Sequence, residues 1–248
     1  MLNSSRVYLE AFLRQAAQAM PTGARVLDAG AGDEQYKPLF AHTCYESVDF
    51  CQADQIQYAH VSVICDLATL PLQDAQYDHV ICTQVIEHTP NPAQVLRELY
   101  RVLRPGGMLW LSTPLFFEEH MQPYDYFRYT QFGLRRLLGE VGFTIQRVEW
   151  LEGYHGTLAH QLYTAFYSLK LSPSAYGGGI IGVLGSALAL CLKPWFWLLA
   201  HIFTRFDLRH RHVGSGMCKN HTVVAMKPMA TRCYMCMRHE HAQYIGGC

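Results

Sequence analysis

An apolar run, an acid and two glycines two residues apart open the segment Arg25 to Tyr36, RVLDAGAGDEQY. A strand that ends in so tight a glycine turn points to an open α/β sheet. In such sheets ligands lie beyond the carboxyl ends of the strands, and glycine lets the backbone approach them closely. The dinucleotide-binding pattern G-x-G-x-x-G would put its third glycine at position 35, which is Gln35. Packing of a pyrophosphate against the helix start is therefore unsupported, and a nicotinamide oxidoreductase is disfavoured.

The rest of the first 150 residues keeps the α/β rhythm. ARVLDA, CYESVDF, VSVICDL, YDHVICTQV and GMLWLSTP read as strands, EQYKPLF as a short helix and PAQVLRELYRVL as a longer one. This alternation implies right-handed βαβ units and a parallel sheet covered on both faces. Asn91 is placed to cap the helix that Pro92 opens, with apolar residues at Val95, Leu96, Leu99 and Leu103 and RPGG as its stop. Thr130 caps a second helix, QFGLRRLLGEVGF, which Gly142 ends before FTIQRVEW returns as a strand. Ahead of the sheet, Val7, Leu9, Phe12, Leu13 and Ala16 are spaced as one face of an amphipathic helix.

Three strand ends carry acids that suit an adenosine without phosphates. Asp28 offers negative charge to a sulfonium and an α-amino group, while Gly30 and Gly32 let the turn press against the nucleoside. Asp49, 17 residues after Gly32, can accept both ribose hydroxyls. Asp66 can accept from the adenine amino group, with Leu67 beside the ring.

Taken together, VLDAGAG, SVDF, CDLATLPLQDAQYDHVICTQVIEH, LRELYRVLRPGGMLWLSTP and YDYFRYTQFGLRRLLGEVGF resemble a class I S-adenosylmethionine-dependent methyltransferase over Arg25 to Trp150, with VVAMKP matching the last strand. The resemblance implies a Rossmann-like, doubly wound seven-stranded sheet with an antiparallel last strand, and S-adenosylmethionine as cofactor. It places Asp28, Gly30 and Gly32 at the methionine part, Asp49 at the ribose, Asp66 and Leu67 at the adenine, and Gln84 and Val85 toward the methyl group. Many relatives have glycine where this chain has Glu34, so a tighter helix entry is expected.

A sulfonium is an activated donor, so transfer needs mainly alignment, and a base only for a hydroxyl acceptor. His88 in IEHTPNP and His120 and Asp125 in HMQPYDYFRYT are the catalytic candidates, and Tyr124, Arg128 and Tyr129 the candidates for binding a polar acceptor such as a sugar or carboxylate. In the alternative, Arg128 pairs with Asp125 and the tyrosines wall a lid.

From Gly177 to Phe203 the chain is strongly apolar, interrupted only by Lys193, Pro194 and His201. A span needs about 20 apolar residues, and Lys193-Pro194 divides this run. Two short helices hinged there and lying in one leaflet, with Trp195 and Trp197 at the interface, are expected. Burial or a dimer contact is one competing reading, and a true span is the other. The resulting organisation is a leading helix (1–24), a core (25–176), an apolar insertion (177–212), the last strand (213–228) and a tail (229–248). Cys233-x-x-Cys236 with His239 and His241 in the tail has zinc-ligand types but lacks a second pair, so no metal is expected.

Twenty basic residues balance twenty acidic ones without a basic run, which argues against nucleic acid as a partner. The N-terminal segment has no apolar signal core, so a cytoplasmic protein with peripheral membrane contact is expected. The expected activity is methyl transfer to a small, lipid-linked or glycan acceptor. The alternative is a catalytically idle adenosine-binding scaffold.

Overall fold

The computed structural model describes residues 3–51, 58 and 61–229. Its strands are β1 (Arg25–Ala29), β2 (Cys44–Asp49), β3 (Val63–Ile64), β4 (Tyr77–Thr83), β5 (Leu103–Pro114), β6 (Thr144–Trp150) and β7 (Asn220–Met226). They form one sheet in the order β3-β2-β1-β4-β5-β7-β6. The first five pair in parallel, and β7 enters antiparallel between β5 and β6. The helices are α1 (Ser4–Ala19), α2 (Pro92–Val102), α3 (Gln131–Val141), α4 (Tyr154–Ser168) and α5 (Gly179–Arg209).

Successive strand residues point to opposite faces, and both faces are covered. Leu27, Val80, Leu109 and Val223 pack with Leu96 and Leu99 of α2 and Leu134 and Leu138 of α3. Their neighbours Val26, Ile81, Trp110 and Val224 pack with Phe12, Leu13 and Ala16 of α1. That double burial is why the strands read as nearly continuous apolar runs. Val7, expected on the buried face of α1, is 40% exposed.

The caps form where the sequence places them. The Asn91 side chain accepts from the Gln94 amide at 3.2 Å and Thr130 Oγ1 from the Gly133 amide at 3.1 Å. Gly142 closes α3 in the left-handed region at φ 107°. Two expectations shrink. EQYKPLF yields only a 3₁₀ turn, Lys37–Phe40, because Glu34 turns left-handed at φ 53° before it. VSVICDL yields only Val63–Ile64, since this outermost strand pairs on one side alone. The helix α4 was not legible. It carries apolar residues around most of its circumference, which hides the 3.6-residue stripe.

The apolar insertion departs most from expectation. In place of two helices hinged at Lys193-Pro194, α5 is one helix that runs through Pro194. The proline removes a single backbone donor, and α5 packs along α4. Lys193 Nζ donates to the carbonyls of Phe166 at 2.7 Å and Leu169 at 2.9 Å, satisfying the open end of α4, and sits 4.7 Å over the Phe166 ring. At the other end of α5, Tyr8 Oη donates to the Asp207 carbonyl at 2.5 Å, tying the helix to α1. Since β6 and β7 are sheet neighbours, α4 leaves the sheet and α5 returns to it.

The root of this arm is closed by Glu152, which has no exposed surface and accepts from the Asn220 amide at 2.6 Å and from Asn220 Nδ2 at 3.1 Å. Glu152→Ala strands both donors in the interior and should cost about 1–3 kcal/mol, read as a lower urea midpoint with an unchanged denaturant slope.

Candidate cofactor and acceptor site

Strand order reverses between β1 and β4, and an α/β sheet opens a crevice there. A cavity of about 290 Å³ occupies it. Gly30, Gly32, Asp49, Asp66, Leu67, Gln84 and Val85 all line it, so seven of the eight residues expected at the cofactor converge on one space. Gly30 stands at φ +82°, and a Cβ on it would collide with both methyls of Val85. The first turn of the sheet is thereby pressed against the residue that follows β4. Glu34 takes the left-handed conformation expected of the glycine it replaces, and its carboxylate pairs with Lys37 at 2.8 Å.

Asp49 is buried at the end of β2. Its Oδ2 accepts from the Gly32 amide at 2.9 Å and its Oδ1 from the Cys51 amide at 2.8 Å. Each oxygen keeps a second lone pair for a ligand hydroxyl. Asp66 Oδ1 accepts from the Ala68 amide at 2.8 Å on the exposed side, and Leu67 is buried. Gln84, left-handed at φ 56°, is fixed by its own amide on the Ser112 carbonyl and by its side chain on Ser112 Oγ.

Asp28, expected at the methionine part, does not line the cavity. Its carboxylate is buried and accepts from Tyr45 Oη at 2.6 Å. Burial raises it to about 6, against the opposing hydrogen bond from Tyr45.

On the acceptor side, His88 and Tyr124 line the cavity, whereas His120, Asp125, Arg128 and Tyr129 do not. Arg128, expected to bind the acceptor or else to pair with Asp125, makes the pair. It forms a two-point pair with Asp125 at 2.7 Å for each bond and donates to the carbonyls of Phe117, Glu118 and Phe127. No donor edge is left for a ligand. Arg128 in turn holds Asp125 down to about 2, and Asp125 accepts from the His120 amide at 2.8 Å. This carboxylate locks the loop. Tyr129 is buried and donates to the Ile86 carbonyl at 3.2 Å.

His88 donates from Nδ1 to the Tyr124 carbonyl at 2.7 Å, which leaves the lone pair on Nε2. Burial lowers its proton affinity. The ring of His120 stands edge-on to it, with centroids 4.6 Å apart. Sequence reasoning missed Glu87, which has no exposed surface and is raised to about 8, chiefly by burial. Its Oε2 accepts from Thr113 Oγ1 at 3.1 Å, and its carbonyl accepts from the amides of Tyr126 and Phe127. An acid inside the apolar context VIEH was the available signal, since a lone carboxylate is rarely buried without a task.

Residues 27–111 match the family described as methyltransferase domain. A probable S-adenosylmethionine-dependent methyltransferase of Mycolicibacterium smegmatis is 39% identical over 100 residues, covering 37% of this chain and 38% of that protein. An arsenite methyltransferase of Aquipseudomonas alcaligenes is 36% identical over 96 residues, 39% of this chain and 27% of that protein. A ubiquinone biosynthesis O-methyltransferase of Psychrobacter cryohalolentis is 27% identical over 132 residues, 45% of this chain and 49% of that one. The chain thus spans less than half the length of these curated relatives. Among solved structures, a putative methyltransferase from Bacillus halodurans superposes with a TM-score of 0.53 at 18% identity, covering 89% of this chain and 99% of that one. The [4+2]-cyclase SpnF gives 0.54 at 19% identity, covering 91% and 81%. These likenesses are of fold.

The environment of Asp28 predicts a pH effect of definite sign. Between about pH 4 and 6 the unfolded chain ionises this carboxyl while the folded chain keeps its proton, so its burial destabilises increasingly through that window and by a constant amount above it. Asp28→Asn should gain stability relative to the parent as pH rises from 4 to 6, by up to about 3 kcal/mol, in parallel urea titrations.

Proposed function

We propose that the protein, whose residues 27–111 match the methyltransferase domain family, is an S-adenosylmethionine-dependent methyltransferase that transfers a methyl group to a small polar acceptor, lipid-linked or glycan in type, held at a membrane surface. The observation that carries the first half is the convergence of the Gly30–Val85 contact and the Asp49 carboxylate on one cavity. A side chain at Gly30 would fill the cradle, and Asp49 keeps free lone pairs, so the residues present fit S-adenosylmethionine. When bound, the cofactor supplies a methyl group on a positively charged sulfur.

The chain's own residues bind and orient. Asp49 would hold the ribose, Asp66 and Leu67 the adenine, and Gly30 and Gly32 the amino-acid end. Of the three expected catalytic residues only His88 lines the cavity, which makes it the one that borders the acceptor end. Arg128 and Asp125 position the loop that carries Tyr124.

The membrane half is supported by α5. It is long and apolar enough to cross a bilayer by length and composition, and only 11% of its most apolar window is buried. Lys193 marks the end of α4, so residues 179–192 project past it with Ile180, Ile181, Leu184 and Leu188 exposed. That projection is about 21 Å of helix at 1.5 Å per residue, short of a hydrocarbon core of about 30 Å. Both ends of the arm return to one sheet, which favours insertion into one leaflet over a crossing. Trp195 and Trp197, both exposed, suit the interface. The six described cysteines are free thiols, in keeping with a cytoplasmic face.

Asp49→Ala should weaken S-adenosylmethionine binding by roughly 2–4 kcal/mol in calorimetric titration, because two charge-assisted hydrogen bonds are lost; unchanged affinity removes Asp49 from the site. The parent should sediment with anionic liposomes at moderate salt. Serine at Leu184, Leu188, Trp195 and Trp197 together should release it with cofactor binding intact. A parent that stays in the supernatant with every lipid assigns the apolar face to a protein contact instead.

A further inference from the structure

We infer that Glu87, His88 and His120 form a site for one divalent cation of the zinc type at the acceptor end of the cavity. The inference stands on side-chain geometry and rests on the methyltransferase reading only for what the ion would do. Glu87 and His88 are consecutive in the 3₁₀ turn Ile86–His88. They bring Glu87 Oε1 and His88 Nε2 to 3.8 Å from each other. Both atoms are buried and neither has a hydrogen-bond partner. With His88 Nδ1 donating to the Tyr124 carbonyl, Nε2 presents a lone pair toward Glu87 Oε1, and at 3.8 Å the two atoms are too far apart to hydrogen-bond directly. A cation that displaces the Glu87 proton, or a bridging water, would fill that gap. Among the described residues the neighbouring guanidinium of Arg128 does not fill the role, because it is consumed by Asp125 and backbone carbonyls.

His120 completes the set. One ligand atom from each of the three side chains lies within 4.8 Å of the others. A tetrahedral ion with 2.0–2.1 Å bonds would draw them to about 3.4 Å. His120, whose side chain is 27% exposed against 10% for His88 and none for Glu87, is the one with room to move. Each residue is also held from behind. Thr113 Oγ1 donates to Glu87 Oε2 at 3.1 Å, His88 Nδ1 binds the Tyr124 carbonyl at 2.7 Å, and His120 Nδ1 lies 3.2 Å from the Glu118 carbonyl and 3.4 Å from Asp125 Oδ2. Partners of this kind fix the tautomer and orientation of metal-binding imidazoles. Two imidazoles and one carboxylate suit zinc with a fourth position left open. His88 lines the cavity, so an open position turned to that side would lower the proton affinity of an acceptor hydroxyl.

The test uses the full chain, freed of metal by chelator and without cofactor. Zn²⁺ is titrated calorimetrically and Co²⁺ by its visible absorption. One equivalent per chain is expected, with nitrogen and oxygen ligand-field bands and no thiolate charge transfer. Glu87→Gln and His120→Ala, chosen for shape and for partial exposure, should each weaken binding at least about 100-fold while circular dichroism stays unchanged. Cys233→Ser with Cys236→Ser should have no effect. An ion that shows thiolate bands and survives Glu87→Gln belongs to the tail and overturns the proposal. So does absence of binding in the parent, which would leave a bridging water between Glu87 and His88. Cofactor affinity, measured separately, distinguishes either failure from a failure of the methyltransferase reading.

Discussion

The hydrogen bond from the Gly32 amide to Asp49 Oδ2 joins the glycine turn after β1 to the end of β2, and the ligand cavity depends on that junction. It acts together with the amides of Gly30 and Ala31, which both donate to the Val48 carbonyl, while Gly30 fits against Val85 after β4 on the other side. The same carboxylate keeps lone pairs for a ligand, so one group both builds the wall and offers the contact.

The acceptor side is organised on an opposite principle. Its strongest charges, Asp125 and Arg128, neutralise each other and several backbone groups. They make a rigid loop and contribute nothing that faces the cavity. What remains directed inward is less conspicuous: a carboxylate with no exposed surface and an imidazole nitrogen with a lone pair. Burial raises the first and lowers the second, so both favour their neutral forms in the absence of a cation. The chemical potential of the site therefore resides in the groups that the fold leaves unsatisfied.

The helical arm ties these features to the last strand. Because β7 lies between β5 and β6, everything from α4 to α5 must leave the sheet and come back before the fold is complete. Lys193 at the tip of α4 and Glu152 at the root fix the two ends of that excursion. The apolar surface beyond Lys193 is carried by the fold without contributing to its core.

What the sequence determined alone was local: strand and helix periods, the caps at Asn91 and Thr130, the stop at Gly142, and the offset between the glycine turn and Asp49. Each of these follows from backbone conformation and from residues a few positions apart, or from a strand length that fixes where the next acid falls. Family resemblance added the antiparallel last strand, which no local pattern specifies. Tertiary structure decided the rest. Asp28 turns to Tyr45, Arg128 closes on Asp125, α5 continues through Pro194 against α4, and Glu87 comes within 3.8 Å of His88. These outcomes depend on which groups share a buried volume and which partner reaches a charge first. Side chains from separate elements settle that competition, and spacing along one chain does not encode it.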